Sequence, residues 1–110
     1  MNKKIDRLKL YVDDERTSPD GWILAKNYDE AIAILIKEEG NIYAISLDHD
    51  LGGIGTNEKT GQDIALWLEK QVYTQGYKAP RHMTSHSQNP VGKQNIKLTL
   101  YSIWKFSQQE

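Results

Sequence analysis

The chain has 110 residues, of which 38% are hydrophobic and 26% charged, with 14 basic against 15 acidic side chains and no cysteine. Such a length supports one core and so a single domain over residues 1–110, and the balanced composition excludes a disordered chain. The missing cysteines exclude disulfides and thiolate metal sites, and a net charge of −1 excludes a generally basic surface, so any polyanionic partner must be argued from a local site.

The N-terminal stretch "MNKKIDRLKLYVDD" is too short and too interrupted in its apolar content for a signal or membrane segment, which predicts a cytoplasmic protein that does not enter a membrane. Leu8, Leu10 and Val12 alternate with Lys9 and Tyr11 and predict a first strand running into Asp13 and Asp14. The turn-rich "ERTSPDG" leads to a short second strand at Trp22–Ala25. Asn27 with Glu30 forms a helix start, and Ala31, Ile32, Leu35 and Ile36 recur at helical spacing until Gly40.

A third strand is predicted at Ile42–Leu47, followed by Asp48, His49 and Asp50 and a turn at Gly52, Gly53 and Gly55. These glycines complete neither the dinucleotide fingerprint nor a P-loop. Thr60 and Asp63 cap a second helix with Ile64, Trp67, Leu68 and Val72 on its apolar face. "RHMTSHS" supplies a fourth strand, and Asn89 with Pro90 opens a last helix whose apolar side is expected at Val91, Leu98, Tyr101 and Trp104. Trp22 is expected in the core.

Strands alternating with helices predict an α/β domain with a mostly parallel sheet, about four strands and about three helices. Ligand sites in such sheets lie beyond the carboxyl ends of the strands. That rule gathers Asp13, Asp14, Asp48 and Asp50 at one edge together with His49, His86 and the hydroxyls of Ser85 and Ser87. Four like charges at close range call for protonation or a cation, and oxygen donors favour Mg²⁺ or Ca²⁺, with histidine widening the choice to Mn²⁺ or Zn²⁺. Strand alternation points Asp48 and Asp50 to one side and His49 to the other. His86, between a strand and a helix start, suits acid–base work, whereas His82 is expected to be structural. Asn89 is a helix cap at a position that can also receive phosphate.

The segments "LYVDDERTSPDGW", "ISLDHDLGG", "TGQDIALWL" and "SHSQNPVGKQNI", in that order, resemble the cyclic-phosphate-processing receiver domain, a divergent relative of response-regulator receivers. The resemblance implies a reduced, three-layer receiver-like (flavodoxin-like) fold. It aligns Asp13 and Asp14 with the acidic pair that holds Mg²⁺, Asp48 with the phosphate-accepting aspartate, and Thr84 or Ser85 with the hydroxyl position. His49, Asp50, His86, Ser87 and Asn89 look like the residues that set the subgroup apart. Two features of ordinary receivers are missing: a helix between the first two strands, and a fifth strand bearing a lysine.

Taken together, the implied function is a metal-assisted phosphoesterase acting on cyclic phosphates, such as a 2′,3′-cyclic phosphate on a nucleotide or at an RNA end. Asp13, Asp14 and Asp48 would hold the ion, which is Mg²⁺ first, with Mn²⁺ or Ca²⁺ as alternatives. His86, Asp50 and His49 would move protons, while Ser85, Ser87 and Asn89 would grip the phosphate. The alternatives are a non-catalytic receiver that binds a phosphate or a protein partner, and a phosphoacceptor domain using Asp48.

Overall fold

In the computed structural model, residues 8–51 and 59–108 are described. The elements run β1 (Leu8–Val12), β2 (Ile23–Ala25), α1 (Tyr28–Lys37), β3 (Ile42–Leu47), α2 (Gly61–Gln75), β4 (His82–Ser85) and α3 (Pro90–Ser107). The strands form one sheet in the order β2-β1-β3-β4, with every neighbouring pair parallel. This is the reduced, flavodoxin-like receiver architecture expected from the sequence.

Each helix starts where its cap chemistry places it. The Asn27 side chain accepts from the Glu30 amide while Glu30 reaches back to the Lys26 amide. Thr60 and Asp63 close a reciprocal capping box, and Asn89 accepts from the Gly92 amide beside Pro90. At the far end of α2, Gly76 takes the left-handed conformation (φ 70°) that stops a helix at low steric cost.

Side-chain alternation divides the sheet into two unlike faces. Leu10, Val12, Ala25, Ile45 and Leu47 share one face and join Leu35, Ile64, Leu68, Ile96 and Ile103 from the helices in the core. The crossovers through α1 and α2 both move in the same direction across the sheet. Right-handed connections therefore put both helices on one face, and α3 packs along α2. The β1–β2 connection, residues 13–22, contains no helix. The reduction thus falls on the third layer: the opposite face, carrying Tyr11, Ala44 and Ser46, is covered by no described helix.

One expectation is corrected. Val91, Leu98, Tyr101 and Trp104 are exposed (71%, 58%, 57% and 47%), and α3 instead buries Gly92, Ile96, Thr99, Leu100 and Ile103. Both sets recur at helical spacing, so periodicity alone could not choose between them. The choice falls to Gly92, which lets α3 close against the chain at His49, where a Cβ would come within 2.4 Å of the ring. Ile36 of α1 is likewise exposed, whereas Ala31 and Leu35 are buried.

The buried face of α3 gives a direct test. Ile96→Ala is expected to cost about 2–5 kcal/mol by cavity formation, while Leu98→Ala stays within about 0.5 kcal/mol, both from denaturant midpoints. Equal losses at the two positions would mean that α3 is rotated from the orientation described.

Candidate functional site

The chain turns from β1 to β2 on one side and later to β3 on the other, so the carboxyl ends of β1 and β3 flank a topological switch point. Asp13 follows β1, Asp48 and Asp50 follow β3, and His86 follows β4. Backbone hydrogen bonds from Asp13 to Ala25, Asp48 to Val12 and His86 to Leu47 continue the ladder one residue past the strands, keeping these three in step with Tyr11 and Ser46, whereas His49 and Asp50 lie in the bend that follows.

Asp13 is the most buried of these groups, at 1% exposure. Its Oδ1 accepts the amides of Glu15 and Arg16, each at 2.8 Å, and its Oδ2 accepts from His86 Nε2 at 2.9 Å. The opposite ring nitrogen, Nδ1, lies 2.7 Å from Ser46 Oγ, and the ring stacks on Tyr11 with centroids 4.1 Å apart. Trp22, expected in the core, is instead half-buried on the other side of the sheet, packed edge-on against Tyr11 and not lining the cleft. Three contacts in different directions fix the imidazole. An ionised Asp13 can only accept, so Nε2 carries a proton, while Nδ1 accepts from the Ser46 hydroxyl in the neutral ring and donates to it in the imidazolium.

Asp13, Asp48 and His86 each offer a ligand atom, and these atoms lie within 4.8 Å of one another. Above them is a cleft of about 260 Å³ lined by Asp13, Asp14, Asp48 and Asp50 together with Glu15, Arg16, Gln88 and Asn89. Burial pushes the Asp13 carboxyl up, but the Arg16 and Glu15 amides and His86 outweigh it and hold the group below its ordinary value. Asp48 goes the other way. Burial and the neighbouring Asp13 charge raise it, only partly offset by His86, the His49 amide and the Ser87 hydroxyl. One carboxylate is thus prepaired, while its neighbour carries charge that is incompletely compensated. A divalent cation suits such a donor set.

Other predicted residues take more structural positions. His49 Nδ1 meets Asp50 Oδ1 at 2.8 Å, and the ring sits against Gly92 of α3. Ser85 donates to the Leu47 carbonyl at 2.8 Å, and Ser87, 5% exposed, accepts the Asn89 amide at 3.0 Å. The His49 carbonyl accepts the Gly61 amide, and a Cβ on Gly61 would lie 1.9 Å from the Asp48 carbonyl. His82 bonds to Tyr43 on the surface, away from the cleft. Gly52, Gly53 and Gly55 lie outside the described residues.

Ser46, Tyr11 and Arg16 escape a reading of the sequence by motif. Ser46 and Tyr11 carry a usable signal, because each lies two residues before an acidic position and therefore shares its side of the sheet. Arg16 does not: its guanidinium comes to 3.9 Å from Asp13 and to the cleft wall through the loop's own folding.

Among family models, the one described as the cyclic-phosphate processing receiver domain matches residues 8–102. No curated protein and no solved structure matches the chain. No described helix is long and apolar enough to cross a membrane.

The unlike carboxylates predict opposite stability effects. Asp48→Asn is expected to stabilise the fold at pH 7 by about 1 kcal/mol or less, since partial exposure screens the repulsion it relieves. A raised group is protonated in both states below 3.8 and bears its full cost only above its folded value, so this gain vanishes in acid. Asp13→Ala is expected to cost about 1–3 kcal/mol, a loss that shrinks as pH falls through the depressed folded value of Asp13. Thermal melts at pH 3 and pH 7 read both signs.

Proposed function

Because the chain belongs to the family of cyclic-phosphate processing receiver domains, matched over residues 8–102, we propose that its acidic cleft is the site of a metal-assisted phosphoesterase opening 2′,3′-cyclic phosphates. The observation that carries this reading is the convergence of Asp13, Asp48 and His86 ligand atoms within 4.8 Å at the strand ends. Asp13 and Asp48 would hold a divalent ion with Asp14 beside them in the cleft, and His86, whose Nε2 carries a proton, would adjoin the ion without ligating it. Mg²⁺ is the first candidate, ahead of Mn²⁺ and Ca²⁺. When bound, such an ion offsets phosphoryl charge and acidifies water.

The protein's own groups supply the proton traffic. Asp50, oriented by His49 Nδ1 at 2.8 Å, takes a proton from the attacking water. As the bond from phosphorus to one ribose oxygen breaks, that oxygen takes the Nε2 proton of the His86 imidazolium, exchanging places with Asp13 as its partner and leaving a neutral ring whose Nδ1–H faces Ser46. Ser46 and Tyr11 keep the ring in position throughout. The product is a phosphomonoester. Asn89 and the α3 N-terminus, which border the cleft, would meet the non-bridging oxygens, whereas Ser85 and Ser87, expected from the sequence to grip the phosphate, are bonded to backbone in the turn that carries His86.

One observation favours a second reading, a non-catalytic receiver that binds phosphate or a protein partner at the same edge. Both ring nitrogens of His86 are already engaged.

Turnover of 2′,3′-cyclic AMP separates the two. The enzyme reading expects a phosphomonoester product that needs Mg²⁺ or Mn²⁺, disappears with EDTA, and falls about 10²–10⁴-fold in His86→Ala. Ligand binding that survives Asp48→Asn, with no product from the wild type under any of the ions, would establish the binding module instead.

The ion itself is testable by melting. Mg²⁺ at a hundred times its Kd is expected to stabilise the wild type by about 2.7 kcal/mol, and Asp48→Asn by much less. Equal shifts in the two proteins would remove Asp48 from the ion site.

A further inference from the structure

The exposed side of α3, left over from the packing of the core, forms a surface unlike the cleft. Lys93, Lys97 and Tyr101 succeed one another at four-residue intervals, and Trp104 follows three residues later. At this spacing they make one stripe along the helix, each member about one turn from the next. With Arg81 and Met83 of the β4 edge they line a groove of about 560 Å³, to which the described residues contribute no carboxylate. A second cavity, of about 520 Å³, continues past Arg81 and Trp104 along the same edge.

The groove begins where the cleft ends. Asn89, which lines the cleft, stands one helical turn before Lys93, and Ser85, which lines the groove, directly precedes His86. We propose that this groove seats the nucleotides preceding a terminal cyclic phosphate, so that the 3′ end of a single-stranded RNA is bound more tightly than a free mononucleotide opened at the same cleft. The proposal rests on the phosphoesterase reading of the cleft and deepens it by naming the substrate class.

Three features fit a single-stranded polynucleotide. First, the groove is locally basic. In a chain whose overall charge is −1, Arg81, Lys93 and Lys97 line it without a carboxylate among the described residues, whereas Asp13, Asp14, Glu15, Asp48 and Asp50 line the neighbouring cleft. Second, Lys93 and Lys97 are like charges one turn apart, a pairing that disfavours a helix unless an anion lies across it. Their separation along the axis, about 6 Å, is of the order of one nucleotide step. Third, Tyr101 and Trp104 are an exposed aromatic pair with ring centroids 5.8 Å apart and planes tilted by 30°. Base stacking on such faces is tolerant of sequence, and cations beside them grip the backbone. From Asn89 to Trp104 the stripe spans about 22 Å of helix, enough for roughly three nucleotides beyond the terminal phosphate.

The test uses the full chain and three probes: 2′,3′-cyclic AMP, a five-nucleotide RNA ending in a 2′,3′-cyclic phosphate, and an acidic peptide of equal charge. The variants are Lys93→Gln with Lys97→Gln, and Tyr101→Ala with Trp104→Ala. All four side chains project from the core, and thermal melts check that each variant is folded. The expected result is that both double variants bind the RNA at least about tenfold more weakly. The lysine pair should also flatten the log–log salt dependence by about 1.4, and turnover of cyclic AMP should stay at the wild-type level. Unchanged RNA affinity in both double variants overturns the proposal, as does peptide binding as tight as that of the RNA. If the wild type binds RNA through the groove but opens neither cyclic phosphate, the groove assignment stands and the phosphoesterase reading falls.

Discussion

The hydrogen bond from His86 Nε2 to Asp13 Oδ2, 2.9 Å long, joins residues 73 positions apart in the chain, and the geometry of the site depends on it. It closes the carboxyl edge of the sheet by tying the end of β1 to the end of β4 across β3. Asp13 can be almost fully buried because its two oxygens accept two amides and this imidazole. Without such partners, a buried carboxylate would raise its pKa or leave the interior. The same bond sets a proton on Nε2 of His86, facing Asp13. The contact that lets Asp13 be buried thus also orients the imidazole.

The second constraint is the alternation of the sheet. In β3, Ser46 lies on the helix-free side and Leu47 on the helix side; beyond it, Asp48 and Asp50 line the cleft while the His49 ring meets Gly92 of α3. With no helix between β1 and β2, the helix-free side carries the buried polar groups Ser46 and Asp13 that hold His86. His49 does the opposite work. Its ring fills the space above Gly92, and its carbonyl takes the first amide of α2, so the DHD segment is gripped between the starts of two helices. Gly61 and Gly92 make that approach possible because each sits where a Cβ would collide with Asp48 or His49.

α3 shows how one helix serves two surfaces. Ile96, Leu100 and Ile103 seal the core, and the opposite side is free to display lysines and aromatics. The helix is therefore apolar on both sides, for different reasons. An apolar residue is no guide to burial when the outward face carries aromatic rings as well.

Much of the fold was legible from local rules. The caps at Asn27, Thr60 and Asn89 each satisfy specific amides, so their sequence positions mark the helix starts closely. The parallel sheet follows from the order of strands and helices. The opposed directions of Asp48 and His49 follow from a period of two, a covalent property of an extended chain. Other features depend on groups that no local pattern relates: which side of α3 faces inward, the stacking of His86 on Tyr11, the closing of Ser46 onto Nδ1, and the arrival of Arg16 at the cleft. Sequence by itself determined what each strand end carries and which way it points. Only the tertiary structure decided which of those groups become partners, because hydrogen bonds across three strands form at distances set by sheet order and packing, not by separation along the chain.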